Sequence, residues 1–143
     1  MAQQIPRARA RRQQGQRYSD WDLSTAAERI VRGLPTDSLD VVQRRLALSN
    51  QELAATVQIS LRTLTRRKNE DTLPPDESER VYRINRLIEI AADVLGGQTE
   101  AQQWMKEPNF ALGEAFPLVV ARTQPGAQLV EQVLRRIEHG IPA

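Results

Sequence analysis

An all-α fold is predicted by three features of this 143-residue sequence. No stretch sustains the two-residue apolar alternation of a half-buried strand. Apolar side chains instead recur at three-and-four spacing, and Gly and Pro punctuate the segments that carry that spacing.

Taken in order, residues 1–19 are rich in Gln, Arg and Ala with almost no large apolar side chains, and are expected to form a flexible basic arm. A solvated tail without a role is the alternative. Helical patterning starts near residue 24, where Thr25 to Glu28 has the form of a capping box, followed by Ile30 and Val31 and stopped by Gly33 and Pro35. A second helix is expected from Asp37 or Ser38, burying Leu39, Val42 and Leu46. A third follows from Ser49, whose capping partner is Glu52, and a fourth from Ser60. Pro74 and Pro75 open the longest helix, Asp76 to Leu95, with Val81, Ile84, Leu87, Ile88, Ala91, Val94 and Leu95 on one face. At 1.5 Å per residue it runs about 30 Å, enough to bridge two halves of the protein. Gly96 and Gly97 end it. Thr99 is expected to cap a short helix through Met105, Pro117 opens Leu118 to Ala121, and Pro125-Gly126 leads into a last helix presenting Leu129, Val130, Val133, Leu134 and Ile137.

Composition removes several kinds of chemistry. There is no cysteine and a single histidine, His139, which excludes disulfides, thiolate metal sites, cysteine nucleophiles and multi-histidine metal centres. No glycine-rich phosphate loop occurs and no nucleophile lies beside a base, so neither an enzyme nor a cofactor is expected. No apolar run has the length of a membrane span. The arginine-rich start lacks the apolar stretch of a secretory signal, and a cytoplasmic location is expected. Charge is unevenly spread. Residues 1–17 hold five arginines and no acid, and residues 18–70 hold eight basic against seven acidic groups. Residues 71–95 hold three against six, and residues 96–143 four against five. A polyanion therefore meets the N-terminal half first.

Residues 49–68, SNQELAATVQISLRTLTRRK, form two short helices joined by a tight turn. Leu53, Ala54 and Val57 face inward on the first and Leu61 and Leu64 on the second, with small Ala54 permitting a close crossing. The second helix then exposes Arg62, Thr63, Thr65, Arg66 and Arg67. A helix of this diameter fits the major groove, where arginine pairs with guanine and hydroxyls reach base or phosphate. Ser60 at the helix start leaves N–H groups suited to a phosphate. With Asn50 and Gln51 at the start of the preceding helix, these are the candidate DNA-binding residues. The segment resembles the helix-turn-helix of Xre/Cro-type repressors, roughly L-A-x-x-L-G-I-S, with Gln58 where that family usually has glycine. Such hairpins also occur as plain structural elements.

The C-terminal order A-x-x-W-M-x-x-P-N-x-A-L-G, then P-L, then R-I-E-H-G, resembles the toxin-binding domain of Xre/MbcA/ParS-type antitoxins. It is carried by Ala101, Trp104, Met105, Pro108, Asn109, Ala111, Leu112, Gly113, Pro117, Leu118, Gly126, Val130 and Leu134, and by Arg136 to Gly140 at the end. Glu114 departs from it, standing where a second glycine is common. The resemblance covers about residues 25–143. It implies a helix-turn-helix domain over 20–73, a connecting helix over 74–95 and a small helical toxin-binding domain over 96–143. It further implies a type II toxin–antitoxin system whose toxin is a RES-domain enzyme that degrades NAD, neutralised by a C-terminal domain laid over its active site, with repression of the shared operon. Trp104, Asn109, Arg135, Arg136, His139, Gly140 and Ile141 are then the candidate toxin-binding residues. Trp104 read alone is a core anchor, and His139 a helix-end residue favoured by the dipole. A homodimer is expected because one recognition helix buries too little surface for tight operator binding. The alternative is a stand-alone Xre-type DNA-binding regulator without a toxin, which the neighbouring reading frame distinguishes.

Overall fold

The computed structural model describes residues 17–141. Among these, eight α-helices follow one another: α1 Leu23–Arg32, α2 Asp37–Leu46, α3 Asn50–Val57, α4 Leu61–Arg67, α5 Pro75–Leu95, α6 Gln98–Met105, α7 Pro117–Val120 and α8 Gln124–Glu138. Two 3-10 turns, Tyr18–Asp20 and Phe110–Leu112, complete the order. The described residues contain no strand beyond isolated bridges at Pro35–Thr72 and Asn109–Ala115.

α5 is the centre of the molecule. Helices α1, α2, α3, α6 and α8 and the first 3-10 turn all pack on it. Its Val81, Ile84, Leu87, Ile88 and Ala91 are buried in one continuous core that runs from Leu34 on the N-terminal side to Leu134 on α8. It is therefore a shared wall and not a rod between two bodies. A helix this long is stabilised by what it buries on several sides, more than by its own propensity.

Polar groups buried on α5 fix its neighbours. Ser78 accepts from the Leu34 N–H at 2.9 Å and donates to the Leu73 carbonyl at 3.2 Å. Glu89 accepts from the Ser19 N–H at 2.7 Å and pairs with Arg45 Nη1 at 2.9 Å. Each buried oxygen thus has a donor, as burial requires. Glu89 also draws the end of the expected basic arm onto the fold: Arg17 pairs with Asp93 at 2.6 Å, and Tyr18 and Trp21 cluster with Tyr82. The arm boundary drawn at residue 19 is corrected on this ground, since residues 17–19 are anchored; residues 1–16 lie outside the described region.

Helix starts differ from expectation where a competing cap wins. α1 begins at Leu23 because the Asp22 carboxylate accepts from the Thr25 N–H at 2.7 Å, which leaves Thr25 inside the helix instead of capping it. That bond, with a second from the Thr25 hydroxyl, holds Asp22 below the usual carboxylate range. α6 starts at Gln98, one residue ahead of Thr99, with Gly97 at its cap. α8 starts at Gln124, capped by Thr123, which accepts from the Gly126 N–H at 3.0 Å. Gly126 admits no larger residue: a Cβ there would lie 1.8 Å from the Val120 carbonyl oxygen, so the end of α7 and the start of α8 meet backbone to backbone.

Candidate functional site

The helix-turn-helix is built from local capping. The Ser49 Oγ accepts from the Glu52 N–H at 3.1 Å while Glu52 Oε1 accepts from the Ser49 N–H at 3.3 Å. The Ser49 hydroxyl first, and the Ser49 backbone N–H second, hold the Glu52 carboxylate below its ordinary range. Leu53, Ala54 and Val57 are buried, and Gln58 closes α3 in the left-handed region at φ 60°. A non-glycine residue there carries strain on the order of 1 kcal/mol. Its side chain offsets part of that, since Gln58 Nε2 donates to the Arg122 carbonyl at 2.7 Å, an oxygen that also accepts from Arg83 Nη1 at 2.8 Å. Arg80 Nη1 donates to the Val57 and Gln58 carbonyls, each at 3.3 Å. The turn is thus tied to α5 and to the α7–α8 junction.

On α4, Leu64 is buried but Leu61, expected to face inward, is 45% exposed. The half-buried Ile59 in the turn packs against the core in its place. The candidate DNA-binding side chains separate into groups. Arg62 is exposed and makes no ion pair among the described residues. Arg66 is exposed too, with Glu70 3.8 Å away. Gln51 is exposed at the start of α3. Ser60 and Thr63 are engaged with each other: Ser60 Oγ accepts from the Thr63 N–H and donates to Thr63 Oγ1, both at 3.0 Å. The Thr65 hydroxyl donates to the Leu61 carbonyl at 3.0 Å. Asn50 Oδ1 accepts from Gln43 at 2.9 Å and Lys68 at 3.1 Å.

Arg67 is corrected outright. Its side chain is 14% exposed, and its Nε and Nη2 pair with the buried Glu77 carboxylate at 2.9 and 2.8 Å. It is the clasp between α4 and the start of α5, not part of the exposed face. That leaves Arg62 and Arg66 as the exposed guanidinium groups of α4.

In the C-terminal half, Trp104 is half-buried against the core, in line with the anchor reading of an isolated tryptophan. Asn109 organises the loop that follows it. Its Oδ1 accepts from the Ala111 N–H at 2.9 Å, its carbonyl accepts from Glu114 at 2.8 Å, and its N–H donates to Ala115 at 3.0 Å. Glu114 sits at φ 67°, in the left-handed region that explains why glycine suits this position.

α8 is fixed by a bidentate pair in which Arg86 Nη1 and Nη2 reach the Glu131 oxygens at 2.8 and 2.9 Å, holding Glu131 below its ordinary carboxylate range. Arg135, Arg136, His139, Gly140 and Ile141 then project from the end of α8, all exposed. Arg135 is shared between Glu138 at 3.2 Å and Glu131 at 3.5 Å, whereas Arg136 makes no ion pair among the described residues. Leu129, expected on the inner face, is 52% exposed instead. The helix closes in a Schellman motif, with Gly140 at φ 70° and the Ile141 N–H on the Arg136 carbonyl at 2.8 Å. Ile141 is thereby held out from the helix end. Pro142 and Ala143 lie outside the described residues.

Residues 25–86 match the antitoxin Xre-like helix-turn-helix domain, and residues 91–140 match the antitoxin Xre/MbcA/ParS C-terminal toxin-binding domain. A protein named antitoxin Xre from Yersinia enterocolitica is 33% identical over 114 residues, spanning 78% of this chain and 77% of its own length. The chain belongs to the Xre antitoxin family. Another antitoxin Xre, from Photorhabdus laumondii, is 33% identical over 111 residues, 76% of this chain and 75% of that protein. The fold is shared with a chain from the crystal structure of the M. tuberculosis MbcT–MbcA toxin–antitoxin complex, at a TM-score of 0.58 and 20% identity, covering 76% of this chain and 96% of that one.

For this Xre-family chain the two domain matches meet within α5, the helix that both halves bury. Sequence reasoning missed the residues that join the halves. Lys106 Nζ donates to the Leu46 carbonyl at 3.0 Å, and Gln98 Nε2 to the Arg45 carbonyl at 2.8 Å, so α6 caps the end of α2. A glutamine at the start of a short amphipathic helix and a lysine just past its end carry no sequence signal for that role. The basic last turn of α2 gives no hint of it either.

Proposed function

We propose that this chain neutralises a RES-domain, NAD-degrading toxin by covering its active site with the C-terminal domain and represses its own operon through the helix-turn-helix, acting as a homodimer. The observation that supports this reading best is the pair of exposed arginine faces on two different helices joined through one core. α4 offers Arg62 and Arg66 to a polyanion. α8 ends in Arg136, His139, Gly140 and an outward Ile141. Guanidinium groups suit a pocket shaped for phosphate, and an apolar tip beside them suits a protein surface. The mixed charge at the end of α8, with Glu131 and Glu138 beside Arg135, disfavours nucleic acid there.

The test is co-expression with a RES-like reading frame adjacent to this gene. The full chain should restore growth and preserve cellular NAD, while truncation after Leu134 should leave the cells arrested with NAD depleted. Equal protection by both forms would contradict the C-terminal mechanism. Arrest with both would contradict the antitoxin role for that toxin.

A further inference from the structure

α1 presents an apolar face wider than the surface it buries. It packs chiefly on α5. Ala26 is buried in that contact and Ile30 half-buried, yet Leu23 is 88% exposed and Val31 72% exposed, with exposed Ala27 between them. Positions 23, 27 and 31 fall four apart, so they form one stripe about 12 Å long at 1.5 Å per residue. A single exposed aliphatic residue needs no explanation, but an aligned row on one helix does.

The stripe is matched to its own reverse. A small residue sits at its centre and a branched aliphatic at each end. The ends also differ in charge: the acidic cap Asp22 precedes the first turn, and the last holds Arg29, which lies over Trp21, and Arg32, which pairs with Glu28 at 2.9 Å, leaving that end net basic. Turned end for end about Ala27, two copies place Leu23 against Val31 of the second copy. The backbones approach at Ala27, and Arg32 is carried toward Asp22 of the second copy. The helix dipoles then run antiparallel, whereas a parallel pairing would bring like charges together at both ends. From Thr25 onward α1 lies within the residues matched to the helix-turn-helix domain, and all of it lies outside the matched toxin-binding residues 91–140. That placement favours a second copy over a toxin as the occupant.

We propose that the Leu23–Ala27–Val31 face of α1 is the two-fold seam of the homodimer. This rests on the dimeric reading above and assigns it a place. A seam of this size is at the small end of specific interfaces, so self-association depends on concentration and is reinforced when two half-sites hold two copies together.

The chain has no cysteine, which makes the test direct. Full-length Ala27→Cys should form a disulfide-linked dimer under mild oxidation, while Glu107→Cys, exposed on another part of the molecule, should not. In sedimentation equilibrium the unaltered chain should approach twice its 16.2 kDa mass at high concentration. Leu23→Glu with Val31→Glu should weaken that association by at least about tenfold, with an unchanged helical circular dichroism signal. A dimer that persists in the double variant, with no cross-link at position 27, overturns the seam and keeps the dimer. A monomer at every concentration, again without the cross-link, overturns both, and points to the chain's own residues or a different protein as what covers the stripe.

Discussion

α4 and the end of α8 each display arginines, but the company they keep differs. On α4 the neighbouring hydroxyls of Ser60, Thr63 and Thr65 are turned inward to the helix's own backbone and caps, and the nearest acid to Arg66 is a loose 3.8 Å away. On α8, Arg135 is held by Glu131 and Glu138, and the chain then bends to present Ile141. The first face is a basic surface on a preformed helix. The second mixes both signs of charge with an apolar tip, the composition of a protein interface. What separates them is the surroundings of the one arginine on each that makes no ion pair among the described residues. Arg62 stands beside Arg66 on a short helix, whereas Arg136 stands beside the Arg135–Glu138 pair and the exposed Ile141.

The comparison is sharpened first by Arg67, which sequence places on the DNA face and the structure places underneath it. Arg67→Ala strips the partner from buried Glu77 and should cost about 3–5 kcal/mol of stability in urea denaturation. Arg62→Ala should stay within about 0.5 kcal/mol, as exposed substitutions do. At the other face, Arg136→Ala should weaken toxin binding by about 2 kcal/mol by calorimetry. Arg135→Ala should cost less, because its guanidinium is already shared between two carboxylates. Smaller again is the Arg86–Glu131 pair. Glu131 is held below its ordinary value of 4.5, so the pair contributes in full above that pH and is lost as pH falls through the lowered value. Arg86→Ala should remove about 1 kcal/mol at neutral pH and flatten the acid limb of the stability profile. Gln58→Gly should matter least. Relief of the left-handed strain and loss of the bond to the Arg122 carbonyl nearly cancel, leaving a change within about 1 kcal/mol in thermal unfolding.

The parts legible in the sequence are those decided within a few residues. Ser49 and Ser60 are recognisable caps because each binds an N–H three positions ahead, and the apolar face of α5 repeats often enough to be read directly. Arg67 is not legible because its partner lies ten residues on, beyond the Pro74–Pro75 turn that brings α5 back against α4. Thr25 fails as a cap although its spacing to Glu28 is right. Asp22 offers an equivalent cap three residues earlier, and Trp21, stacked 5.8 Å from Tyr82 under Arg29, fixes the chain there. Leu61 fits an inward face by spacing, but Ile59 in the turn already fills that place. The loop after Trp104 is legible only through its family pattern; the role of Asn109 within it is a set of backbone bonds that no residue type announces.

The most direct measurement of the central claim, two separate working faces on one core, is operator binding and toxin neutralisation compared in the same Arg62→Ala, Arg66→Ala double variant. Loss of two such side chains should weaken operator binding by about 2–6 kcal/mol in a titrated gel shift at fixed salt. The same variant should rescue growth against the co-expressed toxin as well as the unaltered chain does. Operator affinity that survives the double substitution, or neutralisation that falls with it, would contradict the account.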